Sequence, residues 1–340
     1  MNPVPPVRFW NRRRFLLAST TAGAGLLTGG LAWRQRDEHG LRAEVFIARA
    51  NGYETGLAGI IRSGLAELGV REGEIRGKRI LLKPNLVEPD ASARHINTHP
   101  LVVRGAAEAF LSLGAAHVLV AEASGHRRDS LLVLEASGLA EVLREDRLRF
   151  YDLNYETGEA MPNRGGHTSL RSWMLPRVLL GADWVVSMPK LKTHHWAGLT
   201  LSMKNLFGTV PGIYYGWPKN VLHHEGIPES ILDLTATIRP HFCIVDGIVG
   251  MEGDGPIMGA ARTSGLLLMG RNPVAVDATG ARLMGLDPAR VPHIARASGK
   301  LGPLRESHIQ QRGEAWQALR QDYDLPAHID AFRNLRPRSN

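Results

Sequence analysis

The chain reads as an α/β protein: a mostly parallel sheet with helices on both faces, Rossmann-like, in a single domain with room for a small second lobe. Three observations predict it. Short apolar runs of strand length alternate with segments of helical spacing along most of the sequence. Several of the runs, such as "ILL" and "WVV", are continuously apolar, as strands covered on both faces are. With 340 residues, 44% hydrophobic and 22% charged, the chain is long and apolar enough to bury a large core.

The elements follow in order. "AEVFIAR" reads as a strand and "GLAGIIRSGLAELGV" as a helix. "KRILLKP" is a buried strand. "HPLVVRGAAEAFLSLG" is a helix with Pro100 in its first turn and Gly114 at its end. "AHVLVAEA" is a strand, "LLVLEASGLAEVLRE" one helix, and "LRFYDLN" and "ADWVVSM" further strands. "PESILDLTATIRP" is a helix, "FCIVDGIVG" and "GLLLMG" are strands, and "NPVAVDATGARLMG" is a helix. The least regular stretch, 155–172, reads as a surface insertion or the edge of a second lobe. No internal repeat or low-complexity segment interrupts the pattern.

The N-terminus reads as an address. Arg12-Arg13-Arg14-Phe15-Leu16 fits a twin-arginine pattern, and the uncharged stretch from Phe15 to Trp33 is only moderately hydrophobic. Gly30-Leu31-Ala32 offers a small-x-small cleavage site. We therefore expect export through the twin-arginine machinery to a periplasmic or equivalent location. The membrane is met only through this leader, as an anchor if it stays uncut. The formal charge is +8; removing Arg8, Arg12, Arg13 and Arg14 leaves +4 (8 − 4). That balance, the lack of a long Lys/Arg tract after the leader and an aromatic content of 6% point away from nucleic acid. One cysteine, Cys243 in "FCIVD", permits neither an intrachain disulfide nor a cysteine-ligated cluster, and reads as a core residue.

In an open α/β sheet, ligands bind beyond the carboxyl ends of the strands. Those exits carry Lys83-Pro84-Asn85, Glu122, Lys190 with Lys192, and Asp246. If strand geometry persists past Pro189, Lys190 and Lys192 share one face. Lys204 follows "GLTLSM", where the pattern turns helical and makes Thr200 and Lys204 i,i+4 neighbours. These lysines, with Asn85, Asn205, His195 and His223, suit the binding of a small carboxylate or phosphate. Lys190, Lys204 and His194 are the candidates for acid–base work. His99, before Pro100, reads as a helix cap. "DGIVGMEGDGP" is the acidic counterpart. Asp246, Glu252 and Asp254 among glycines suit a divalent cation such as Mg²⁺, Mn²⁺ or Ca²⁺, with His194 or His195 as further ligands. Asp277, at a helix start, caps or faces the crevice. A structural ion-pair network of these cations and acids is the bland alternative.

"LLKPNLV", "NTHPLVVRG", "VVSMPKLKTHHWAGLTLSMKNLFG", "ILDL", "IVDGIVGMEGDGP" and "NPVAVDATGARLMG" together resemble the domain-of-unknown-function family 362, from about Lys78 to Gly285. The resemblance implies a single α/β domain. It also implies, in some members, a ferredoxin-like cysteine cluster and, in some, a twin-arginine leader. This chain has the leader and lacks the cysteines, so no iron–sulfur cluster is expected. The organisation expected is a signal at 1–33, a linker at 34–43, the α/β domain at 44–310 and a helical C-terminal tail at 311–340. The function expected is an exported, divalent-metal-dependent enzyme acting on a small anionic molecule. The alternative is an exported binding or accessory protein that holds a metal, cofactor or anionic metabolite without turnover. Hydrolysis, isomerisation and carbon–carbon chemistry all stay open, and no G-x-S-x-G elbow is present.

Overall fold

A computed structural model describes residues 41–337 except 126, 127 and 218. The twin-arginine motif, the leader and most of the linker lie outside the described residues. Within them, no helix is long and apolar enough to cross a membrane.

The central sheet runs in the order β12-β1-β11-β10-β7-β2-β3-β4. On one wing lie β2 (Arg79–Pro84), β3 (His117–Glu122) and β4 (Arg149–Asp152). On the other lie β7 (Trp184–Met188), β10 (Phe242–Glu252), β11 (Ala260–Gly270), β1 (Ala43–Arg49) and β12 (Ile309–Gly313). Within this row only β11 runs antiparallel to its neighbours, β1 and β10. From β2 the chain winds outward through β3 to β4, then returns to place β7 on the opposite side of β2. The strand order therefore reverses at the β2–β7 boundary, where α/β sheets open a ligand crevice.

Alternation along each strand divides the core into two layers. Ile80 and Leu82 of β2, Val118 and Val120 of β3, and Phe242 and Ile244 of β10 pack on one face. Against them lie α1 (Leu57–Glu67), α2 (Pro100–Ser112), α3 (Ser130–Ala136) and α4 (Leu139–Glu145). Leu81, Val185, Cys243 and Val245 point to the other face. There they meet α6 (Ile227–Ile238) and α7 (Pro273–Leu283), with α5 (Ser202–Asn205) a single turn between sheet and cavity. The α/β class with helices on both faces is thus observed. Cys243 is a core residue whose thiol burial pushes up.

Three local readings need correction, and that of 155–172 gains detail. The single helix expected over 131–145 is two, because Gly138 adopts φ +80° and turns the chain between α3 and α4. The irregular stretch 155–172 contains part of a hairpin, β5 (Gly158–Pro162) with β6 (Ser172–Pro176), outside the main sheet. Asp233 ties its loop to α6 by accepting from the amides of His167 and Thr168 at 2.8 and 2.9 Å. Residues 190–200 form β8 (Lys190–His194) and β9 (Gly198–Thr200), so Thr200 is in a strand and the i,i+4 pairing with Lys204 does not arise. Finally, the expected helical tail is mostly irregular. Its first residues complete β12, which pairs with β1, and Tyr323 is fully buried, so 311–337 belongs to the domain.

Candidate functional site

A cavity of about 250 Å³ opens at the carboxyl ends of β2 and β3. Lys83 and Glu122 enter it from those strands, and β8 supplies Lys192 and His194. Thr200 comes from β9, and Lys204 and Asn205 from α5. Phe207, Gly208, Lys219 and His223 close one side, and Pro256 and Ile257 the other.

At its base, Lys83 Nζ donates to Glu122 Oε2 at 2.6 Å, to Asn205 Oδ1 at 3.0 Å and to the Pro84 carbonyl at 2.8 Å. Glu122 also accepts from the amides of Ala123 at 2.9 Å and Leu86 at 3.3 Å. Burial lowers the Lys83 pKa and raises that of Glu122, and the opposite charge of each partner counters part of the shift. Gly208 packs so closely over this pair that a Cβ there would overlap the Glu122 carboxylate.

The other three lysines of the cavity have no acid within salt-bridge reach among the described residues. Lys192 Nζ donates to the carbonyls of Ile96 at 2.9 Å and Pro256 at 3.3 Å. Burial, and then the charges of Lys190 and Lys204, drive its pKa well down. Lys219 donates to Asn154 Oδ1 at 2.5 Å and the Val210 carbonyl at 2.6 Å, and burial lowers it to about 7. Lys204 lies 3.7 Å from the centroid of Phe207, and no hydrogen-bond acceptor reaches it among the described residues. Burial, and then the charge of Lys83, bring it to about 7, although Glu122 and the ring both favour its ammonium form.

His194 Nδ1 accepts from the amides of Trp196 at 3.1 Å and Ala197 at 3.4 Å, which leaves the ring proton on Nε2. Burial and the neighbouring lysines keep this ring neutral. His195 Nδ1 lies 3.0 Å from Asp254 Oδ1, and His223 Nδ1 lies 3.0 Å from the Lys219 carbonyl. Two polar atoms of lining residues, Asn85 Oδ1 and Thr200 Oγ1, are buried without a partner among the described residues. Such groups are costly unless something supplies the missing bond.

Beneath α5, Asp277 of α7 accepts from the amides of Ser202 at 2.7 Å and Met203 at 2.9 Å. The acid thus caps a helix other than its own and fixes the turn that carries Lys204 and Asn205. His99 caps its own helix, α2, as its place before Pro100 implies.

Eight of the twelve site residues expected from sequence line the cavity, and three acids and one lysine need a different account. Lys190 is not on the cavity. It is fully buried, with Nζ 2.5 Å from Asp246 Oδ2 and 3.2 Å from the Tyr53 hydroxyl. Asp246 is spent there, accepting also from the His99 amide at 3.0 Å and from Tyr53 OH at 3.3 Å. Glu252 faces Arg262 at 3.6 Å and accepts from the Asp324 amide at 3.0 Å. Asp254 reaches the rim only as the partner of His195. The three acids expected to share a cation are therefore separated. Among the described residues no group of three or more His, Cys, Asp or Glu side chains is arranged to hold a metal ion. The glycines around them serve close packing: a Cβ at Gly255 would overlap the Thr193 backbone, and one at Gly250 would crowd the Tyr323 hydroxyl. Sequence reasoning missed Lys219 and Thr200 as site residues, and recognised Glu122 only as a strand exit.

The family model for the domain of unknown function DUF362 matches residues 80–282. The Thylakoid-associated protein sll1697 of Synechocystis sp. is 32% identical over 242 residues, which cover 68% of this chain and 72% of that protein. Two solved structures are more distant. A protein from Thermotoga maritima is 15% identical at a TM-score of 0.38, over 66% of this chain and 57% of its own. The lactate racemase apoprotein from Thermoanaerobacterium thermosaccharolyticum is 16% identical at 0.36, over 64% of this chain and 52% of its own. The chain thus spans little more than half the length of either. The matched segment includes both strands that meet at the β2–β7 reversal, the whole β8–α5 wall and the Asp277 cap beneath it; the chain belongs to the domain-of-unknown-function family DUF362.

Proposed function

We propose that this chain is an exported enzyme that holds a small carboxylate or phosphate compound in the cavity, with Lys204 as its acid–base group. One observation carries the reading: among the described residues four lysines line the cavity, and Glu122, the one acid on its lining, is already bound to Lys83. An anion supplies what Lys192 and Lys204 lack, in a space whose low dielectric strengthens the attraction. A lysine near neutrality can give and take a proton at working pH. The lysines take the place of the divalent cation expected from sequence, because the acids meant to hold it face other partners. Export rests on Arg12-Arg13-Arg14-Phe15-Leu16.

Calorimetric titration with inorganic phosphate and with pyruvate tests the anion site. Binding by the wild type, weakened about tenfold or more by Lys192→Met or Lys204→Met, is expected for the loss of one buried charge-assisted contact. Affinity indifferent to both substitutions sinks the reading.

A further inference from the structure

The four lysines of the cavity are not equivalent. Lys83 is held by Glu122, Asn205 and the Pro84 carbonyl. Lys192 spends two of its three N–H groups on carbonyls, and Lys219 is bound by Asn154 and the Val210 carbonyl. Lys204 alone among them has no oxygen or nitrogen partner among the described residues. Its amine lies over the Phe207 ring, inside the cavity and close to the Lys83 charge. A lysine that is desolvated and set beside another cation is the environment in which an amine becomes a nucleophile toward carbonyl carbon.

We propose that Lys204 forms an imine with the carbonyl carbon of a small 2-oxo acid bound in this cavity. The inference deepens the anion-binding reading and rests on it. As an ammonium, the form a bound carboxylate favours, Lys192 has a third N–H to give that carboxylate, and the Thr200 hydroxyl, unpartnered among the described residues, offers a donor to a further oxygen. In the step itself, the lone pair of Lys204 Nζ attacks the carbonyl carbon. The C=O π pair moves to oxygen, which takes the proton of His194 Nε2, the one ring nitrogen of His194 not committed to backbone amides. The nitrogen then releases a proton, which restores His194, and passes its remaining proton by the same route to the hydroxyl of the carbinolamine, which departs as water while C=N forms. Amine and ketone give imine and one water, with no oxidation or reduction.

The test is to incubate the full-length protein with pyruvate and sodium cyanoborohydride, digest it and map the modified lysine by mass spectrometry. One 1-carboxyethyl group on Lys204 is expected, formed faster than at the exposed Lys300 and absent in Lys204→Arg. Its rate should rise with pH through about 7, as the amine loses its proton, and then level off. Label spread evenly over exposed lysines, or no label on Lys204, overturns the proposal. Calorimetry separates the two levels. Pyruvate that binds without labelling Lys204 leaves the anion site standing and removes the imine. If neither pyruvate nor phosphate binds, both fall. Circular dichroism of Lys204→Arg confirms that a lost adduct reflects chemistry and not unfolding.

Discussion

Lys83 and Glu122 set the electrostatics of the cavity before any ligand enters. Their charges are removed from water and face each other at 2.6 Å, so each is tolerable only while the other is present. Glu122→Gln should destabilise the fold by about 3–5 kcal/mol, because it strands a buried ammonium. Adding Lys83→Met to that variant should restore part of the loss. Urea unfolding of the two variants checks this; equal stability of the single and double variants would mean the pair is not coupled. At this scale the sequence was informative where chemistry is local. Lys192, Lys204, His194 and Asn205 sit in one short segment, and the cavity holds all four. It was misleading where charge alone was the guide. Asp246, Glu252 and Asp254 look like a ligand set in one dimension, yet the register shift in β10 between Gly247 and Val249 and the turn after the strand send them to Lys190, Arg262 and His195. Lys219 carried no motif, and reaches the cavity only through an αL turn at φ +71°.

Among the elements, α5 is the most exposed to error, since a single turn positions both Lys204 and Asn205. Its stability comes from Asp277, which lies 75 positions away in sequence from the amide of Ser202 that it binds. Burial raises the Asp277 pKa to about 7 from 3.8, against the pull of the two amides. Between those values the folded state holds a proton that the unfolded chain has lost. The contribution of this group is therefore fully present below about pH 4 and lost as the pH rises through about 7. Asp277→Asn should remove that slope from the stability profile over this window, measured by thermal unfolding at a series of pH values, and a profile parallel to the wild type would count against it. The variant should also lose about 1–2 kcal/mol at low pH, because an amide oxygen caps less well than two carboxyl oxygens. The long strands and helices were legible from periodicity. The β8–β9 ladder was not, because most of its residues are polar and β10, against which β8 pairs, lies far along the chain.

Over the whole molecule, the export proposed above bears on folding. A leader read through paired arginines implies that the domain reaches its final location already folded, a general property of that route. Arg12→Lys with Arg13→Lys should leave the protein in the cytoplasmic fraction, whereas wild-type protein is expected in the exported fraction. Equal distribution of the two by cell fractionation would remove the export proposal. The sheet's edge was the part of the architecture least visible in the sequence. "IQQRG" has no apolar period to announce a strand, and only its pairing with β1 makes it one.

That pairing has a consequence in time. β1 is synthesised first among the described strands, but its neighbours β11 and β12 come from the far end of the chain, with Ala43 opposite Ile309 and Arg49 opposite Leu266. Strands β2, β3 and β4 can associate among themselves long before. At roughly 5–20 residues per second, the apolar Val45, Phe46 and Ile47 wait for many seconds on the ribosome with both edges of their strand unpaired. Closing so long a loop is also slow once the chain is free. The growing chain therefore spends its vulnerable interval with its first strand open on both edges, and that interval ends only when the last residues of the sheet arrive.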